Sequence, residues 1–101
     1  MVMRFEWDPF KAASNARKHG VTFETAVRAF GDPLASTKVE GIEQGEMRWL
    51  TIGMGDAHIL LFVAHTIWER YEDGQSVEVI RIISARRATP SERRRYEREN
   101  S

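Results

Sequence analysis

The apolar positions of this chain follow two different periods, and the changeover divides it into a helical N-terminal part and a longer strand-rich part. Met3 to Trp7 alternates bulky and polar side chains, which predicts a short strand. Asp8-Pro9 then opens a helix, with Asp8 as N-cap and Pro9 at the first helical position, where its missing N–H costs nothing. That helix is predicted to run to Lys18 or His19, with Gly20 as its left-handed stop. Thr22 caps a second helix over Phe23 to Phe30, whose Phe23, Ala26, Val27 and Phe30 share one face. Gly31-Asp32-Pro33 ends it.

Period two follows. Strands are predicted over Leu34 to Lys38, Met47 to Met54, Ile59 to Trp68 and Val77 to Ala85. Between them lie a polar acidic loop at Gly41 to Gly45, a turn at Gly55-Asp56-Ala57, and a hairpin turn within Tyr71 to Ser76. The run Ile59 to Trp68 is apolar enough for a central strand buried on both faces. Thr89-Pro90-Ser91-Glu92 starts a last helix with two signals at once, a proline at its first position and a capping box. The fold class expected is α+β: an antiparallel sheet of four to five strands, with two N-terminal helices and one C-terminal helix. A chain of 101 residues makes this one domain, residues 1–101.

Composition narrows the chemistry. Cysteine is absent, which removes disulfides, thiolate metal sites and thiol nucleophiles. No His, Asp or Glu cluster has metal-site spacing, and no glycine-rich loop follows a strand as in a nucleotide-binding fold, so neither metal nor cofactor is expected. No nucleophile elbow surrounds a serine. No apolar run approaches the ~20 residues that span a bilayer, and no signal peptide is expected, which points to the cytoplasm and away from membranes.

Charge is neutral in total but segregated. Residues 1–30 carry five basic and three acidic side chains, residues 31–80 three and nine, and residues 81–101 seven and three. A basic end of this kind attracts a polyanion despite the neutral sum, although a solvated helix with internal salt bridges explains the same excess. Arg86 and Arg87 stand where the last strand meets the helix start. Guanidinium groups bind phosphate through paired hydrogen bonds and counter charge developing on phosphorus. Period two places Ile80, Ile82, Ser84 and Arg86 on one face, and Arg81, Ile83, Ala85 and Arg87 on the other.

Lys18 is placed to reach a phosphate from the first helix end. His65 is a candidate for proton transfer, since its unperturbed pKa is near neutrality; the competing reading is a satisfied core histidine. Tyr96 is read either as stacking on a base or as packing on the sheet, and His19 either as a helix cap or as an RNA contact. For Arg93, Arg95 and Arg98, ion pairs with Glu92, Glu97 and Glu99 are the favoured reading.

These residues sit within a wider resemblance. Phe5-Glu6-Trp7-Asp8-Pro9, Lys11, and Asn15-Ala16-Arg17-Lys18-His19-Gly20-Val21 resemble the N-terminal signature of the BrnT toxins. So do Phe23-Glu24-Thr25-Ala26, Asp32-Pro33, Thr51-Ile52-Gly53 and Ile80-Arg81-Ile82-Ile83-Ser84-Ala85-Arg86. The resemblance implies a RelE-like fold and a type II toxin–antitoxin ribonuclease that cuts RNA without metal and stops translation. It implies a BrnA-type ribbon-helix-helix antitoxin as partner, with operator DNA contacted only through that antitoxin. Carried onto this chain, the family's basic site falls on Lys18, on Arg86 with neighbouring Arg87, and on Arg70, and His65 matches a common family residue without a role following from the match. Taken with the residue readings above, the expected catalytic set is Arg86, Arg87, Lys18 and His65, and the expected RNA-binding set is Arg70, Arg81, His19, Arg94 and Tyr96. Two other readings stay open: a module that binds nucleic acid or protein without cleaving, and a purely structural interaction protein using the acidic Glu40 to Glu46 segment and exposed tryptophans.

Overall fold

A computed structural model describes residues 2–100. The chain runs β1 (Val2–Glu6), α1 (Pro9–His19), α2 (Phe23–Ala29), β2 (Ser36–Glu43), β3 (Glu46–Met54), β4 (Leu60–Glu72), β5 (Gln75–Arg87) and α3 (Pro90–Glu99). The strands form one sheet in the order β1-β5-β4-β3-β2. Four strands follow one another as antiparallel hairpins. The purely antiparallel expectation is corrected at one edge: β1 pairs parallel with β5, Val2 opposite Val77 and Glu6 opposite Arg81. A parallel neighbour requires a crossover, and the whole of α1 to β4 supplies it.

The helix signals act as read. The Asp8 carboxylate accepts from the Phe10 N–H at 2.8 Å, and Gly20 closes α1 with φ 68°. Thr22 caps α2, and Thr89 with Glu92 forms the capping box of α3. The β4–β5 hairpin turns on Asp73 and Gly74, both with positive φ, so the strands extend further than the expected Trp68 and Val77. The predicted Gly41–Gly45 loop is corrected too. Gly41 lies within β2, where a bulge follows Val39, and the turn is confined to Gln44 and Gly45.

The sheet has a front face covered by α1 and α2 and a back face bordered by α3. Val21, Phe23, Ala26 and Ala29 pack on Leu61, Val63, Ile80, Ile82 and Ala85 to form the core. Gly53 belongs to this contact: a Cβ there would collide with the Ala29 carbonyl oxygen, so α2 lies directly on β3 only because that side chain is missing. β4 is central, and from Leu60 to Thr66 it is buried on both faces except at half-buried Phe62, as its apolar run predicts. No helix among the described residues is long and apolar enough to cross a membrane.

Polar ties hold α3. The Tyr96 hydroxyl donates to Asp32 Oδ2 at 2.5 Å, and the same oxygen accepts from the Met54 N–H at 2.8 Å. Burial and the Asp32 carboxylate push the Tyr96 hydroxyl up to about 12. Its neutral form is thus favoured by folding, so its contribution is complete below the free-tyrosine value near 10 and is lost as pH rises through about 12. Tyr96→Phe is expected to cost about 1–2 kcal/mol in chemical denaturation and to remove stability loss over that alkaline window.

Candidate functional site

Arg86 and Arg87 lie inside β5, opposite Phe62 and Leu61. Between Ala64 and His65 the register with β5 slips, Ala64 pairing Ser84 and His65 pairing Ile82, so Ile83 is the extra residue of a bulge. Strict alternation is therefore corrected. Ile80, Ile82, Ala85 and Arg87 share the front face, while Arg81, Ser84 and Arg86 share the back. The two arginines point away from each other across the sheet.

Arg86 is committed to its own protein. Its Nη1 and Nη2 donate to both carboxylate oxygens of Glu92 at 2.8 and 2.9 Å, and its guanidinium lies 4.5 Å above the Phe62 ring. Glu92 Oε1 also takes the Thr89 N–H at 2.8 Å, so one carboxylate caps α3 and ties it to β5. The capping box thus occupies the Thr89 and Glu92 N–H groups at the start of α3. The Arg86 hydrogen bonds, with help from the Thr89 N–H, pull Glu92 from 4.5 down to about 2. Its charged form is favoured by folding, so this contribution is complete above about 4.5 and is lost as pH falls towards 2. Glu92→Gln is expected to flatten the acid limb of stability between those values and to cost about 1–3 kcal/mol at neutral pH by equilibrium unfolding.

Arg87 is different. It is exposed, ends the front face of β5, and among the described residues makes no ion pair. α1 is fastened beside it: Asn15 Nδ2 donates to the Ala85 carbonyl at 2.8 Å, and the Ala85 N–H donates to Asn15 Oδ1 at 3.1 Å. Lys18, exposed and without an ion pair among the described residues, and half-buried His19 follow Asn15 in the last turn of α1. The β3–β4 turn lies at the same end, where Arg93 Nη2 reaches the His58 carbonyl at 3.4 Å. Arg94 is exposed on α3 and also lacks an ion pair among the described residues.

His65 does not join them. It is 1 % exposed, on the front face beneath Phe30, whose ring centroid lies 5.0 Å from its own. Nδ1 faces the Thr66 carbonyl at 3.3 Å, and a carbonyl only accepts, so Nδ1 carries the proton. Nε2 then accepts from the Thr51 hydroxyl at 2.7 Å, and Thr51 in turn accepts from Thr37 at 2.7 Å. Burial pushes the imidazole below 6.5, which keeps it neutral. This geometry fits the satisfied core histidine and not the expected proton-transfer role: both ring nitrogens are engaged inside the core and the residue is all but inaccessible.

Three of the residues expected to bind RNA lie elsewhere. Tyr96 is 8 % exposed and bonded to Asp32, so its ring is not free to stack on a base. Arg70 and Arg81 line an open cleft on the back face with Trp68, but Glu6, Glu46 and Glu69 line it too, and Arg81 stands 4.0 Å from Glu6. Phe62, opposite Arg86, is roughly 25 Å up the strand from Arg70 at about 3.3 Å per residue, so this cleft is not part of the strand-end site. The expected ion pairing of the α3 arginines holds for Arg95 with Glu99, at 3.1 Å. Among the described residues no group of three or more His, Asp or Glu is gathered as metal ligands.

Asn15 went unnoticed as a site residue in the sequence. Its signal was there: a polar amide on the apolar stripe of α1, one turn after Ala12.

Residues 7–92 match the protein family described as ribonuclease toxin, BrnT, of type II toxin–antitoxin systems. Among solved structures the chain is similar to the Brucella abortus ribonuclease toxin BrnT, with 23 % identity, a TM-score of 0.55, and 88 % of this chain and 99 % of that one covered. No curated protein matches the chain.

Proposed function

This chain belongs to the BrnT family of type II toxin–antitoxin ribonuclease toxins, and on that premise we propose that it cleaves RNA without metal at the end of β5. Arg87 binds the scissile phosphate and counters the charge that develops on it, and Lys18 supports the same charge, while Arg86, paired with Glu92, holds α3 at that end of β5. The 2′-hydroxyl of the RNA is the nucleophile. It attacks phosphorus, the bond to the 5′-oxygen breaks, and a cyclic phosphate and a free 5′-hydroxyl result. His19 and Arg94 extend the phosphate contacts along the flanking helices.

What supports this reading is the Asn15 tie: it fastens α1 to β5 at Ala85, two residues before Arg87 and one helical turn before Lys18, both exposed and without an ion pair among the described residues. Most other cations on β-strands are already spent on carboxylates, as Arg4 on Glu72 and Arg48 on Glu43. The partner in this reading is a BrnA-type ribbon-helix-helix antitoxin, which alone touches operator DNA, and the complex works in the cytoplasm.

Inducible expression tests it. Growth arrest with fragmentation of cellular RNA, both relieved by co-expressing the neighbouring antitoxin gene, is expected. Intact RNA together with tight, salt-sensitive RNA binding would instead support a non-catalytic module.

A further inference from the structure

Asn15 is the only buried residue of α1, at 7 % exposure. Asparagine is a poor helix former, and this one contributes no apolar area to the core. Its side chain instead makes three hydrogen bonds to backbone groups. Nδ2 donates to the Ala85 carbonyl at 2.8 Å and to the Val21 carbonyl at 3.1 Å, and Oδ1 accepts from the Ala85 N–H at 3.1 Å. One amide thereby joins β5, α1 and the segment that leaves α1 after the Gly20 turn.

The joint lies next to both proposed phosphate ligands. Lys18 follows Asn15 by three residues, on the same side of the helix and about 4.5 Å further along its axis. Arg87 follows Ala85 by two residues on the same face of β5, about 6.6 Å along the strand. Gly20 turns the chain at φ 68°, and the bond to Val21 holds that turn against the same amide. Lys18 and Arg87 come from separate elements, and the Asn15 amide is a direct hydrogen-bonded link between those elements beside both of them.

We propose that Asn15 is a positioning residue of the ribonuclease site, setting the spacing of Lys18 and Arg87 across the scissile phosphate. This rests on the reading of that site given above. Displacing a transition-state ligand by about 1 Å costs roughly 10²-fold in rate, whereas an amide that merely stabilises the fold leaves the rate per folded molecule unchanged.

Single-turnover cleavage of a short RNA oligonucleotide separates the two, using the full chain with each rate referred to the folded fraction from circular dichroism. Asn15→Ala is expected to slow cleavage roughly 10²-fold, with KM changed by less than about threefold. The same substitution made on top of Lys18→Ala is expected to cost less than about threefold more, because the ligand it positions is already gone. Asn15→Ser, whose hydroxyl serves one of the three carbonyl or N–H partners, is held to the same criteria if Asn15→Ala does not fold. A normal rate per folded molecule, or full additivity with Lys18→Ala, overturns the proposal. Arg87→Ala is measured alongside. If it is inactive while Asn15→Ala cleaves normally, only the positioning role fails; if it cleaves normally, the site itself has been misplaced and the positioning role falls with it.

Discussion

Arg87→Ala is expected to slow RNA cleavage by roughly 10²–10³-fold while leaving the unfolding free energy within about 0.5 kcal/mol of the parent. The side chain is exposed and without an ion pair among the described residues, so its removal breaks nothing in the fold. The hydrogen bond that Arg86 makes to residue 87 goes to its backbone carbonyl and survives the change. What is lost, on the function proposed above, is the guanidinium that would bind the non-bridging oxygens of the scissile phosphate. Arg87→Lys should recover only part of the rate, since an ammonium keeps the charge but not the paired donors. Arg86→Ala is a poorer test. It strands the half-buried Glu92 carboxylate and unties α3, so lost activity would mix chemistry with a cost of about 1–3 kcal/mol in stability. The decisive comparison is cleavage per folded molecule; an Arg87→Ala protein as active as the parent would move the site elsewhere.

His65→Ala is expected to do the opposite, costing about 3–5 kcal/mol of stability with cleavage per folded molecule retained. The substitution opens a cavity beneath Phe30 and leaves the Thr51 hydroxyl without its acceptor. For a domain whose net stability is on the order of 5–15 kcal/mol, that is a large fraction. The sign of the pH dependence follows from burial. His65 is held below its ordinary value, so the unfolded chain takes up a proton more readily than the folded one. Its contribution is complete above about 6.5 and declines as pH falls below that value. His65→Gln removes the titration, and urea unfolding between pH 6.5 and 5 is expected to show a shallower decline than in the parent. A fall in cleavage per folded molecule comparable to that of Arg87→Ala would return His65 to the catalytic set.

Local signals in the sequence carried most of the fold. Asp8-Pro9, Thr22, Asp73-Gly74 and Thr89-Pro90-Ser91-Glu92 each act within a few residues, and each forms the cap or turn its chemistry requires. The parallel docking of β1 beside β5 was not legible, because it joins strands at opposite ends of the chain and no local pattern encodes such a register. The site suffered from the same limit. One bulge at Ile83 reverses which arginine faces the helices, and bulges depend on the partner strand rather than on the strand itself. Glu92 was read correctly as a cap, but its second use, as the counter-ion of Arg86, needed the geometry of the β5–α3 junction. His65 was read as either functional or satisfied, and only the Thr37–Thr51–His65 chain of hydrogen bonds decides between them.

The resulting site is smaller than the arginine-rich sequence suggested. Arg81 and Arg95 face carboxylates, Tyr96 clamps α3 to Asp32, and Arg70 lies far along β4. Among the described residues Arg87 and Lys18 remain as cations without an ion pair on adjoining elements, while Arg86 holds the helix that follows.

The most direct test of metal-free cleavage by these groups is the chemistry of the RNA ends. A short RNA is incubated with the purified protein in excess EDTA and the products are resolved by mass. A 2′,3′-cyclic phosphate or its 3′-phosphate hydrolysis product, paired with a 5′-hydroxyl, is the expected result. Cleavage that EDTA abolishes, or products carrying a 5′-phosphate and a 3′-hydroxyl, would contradict the account.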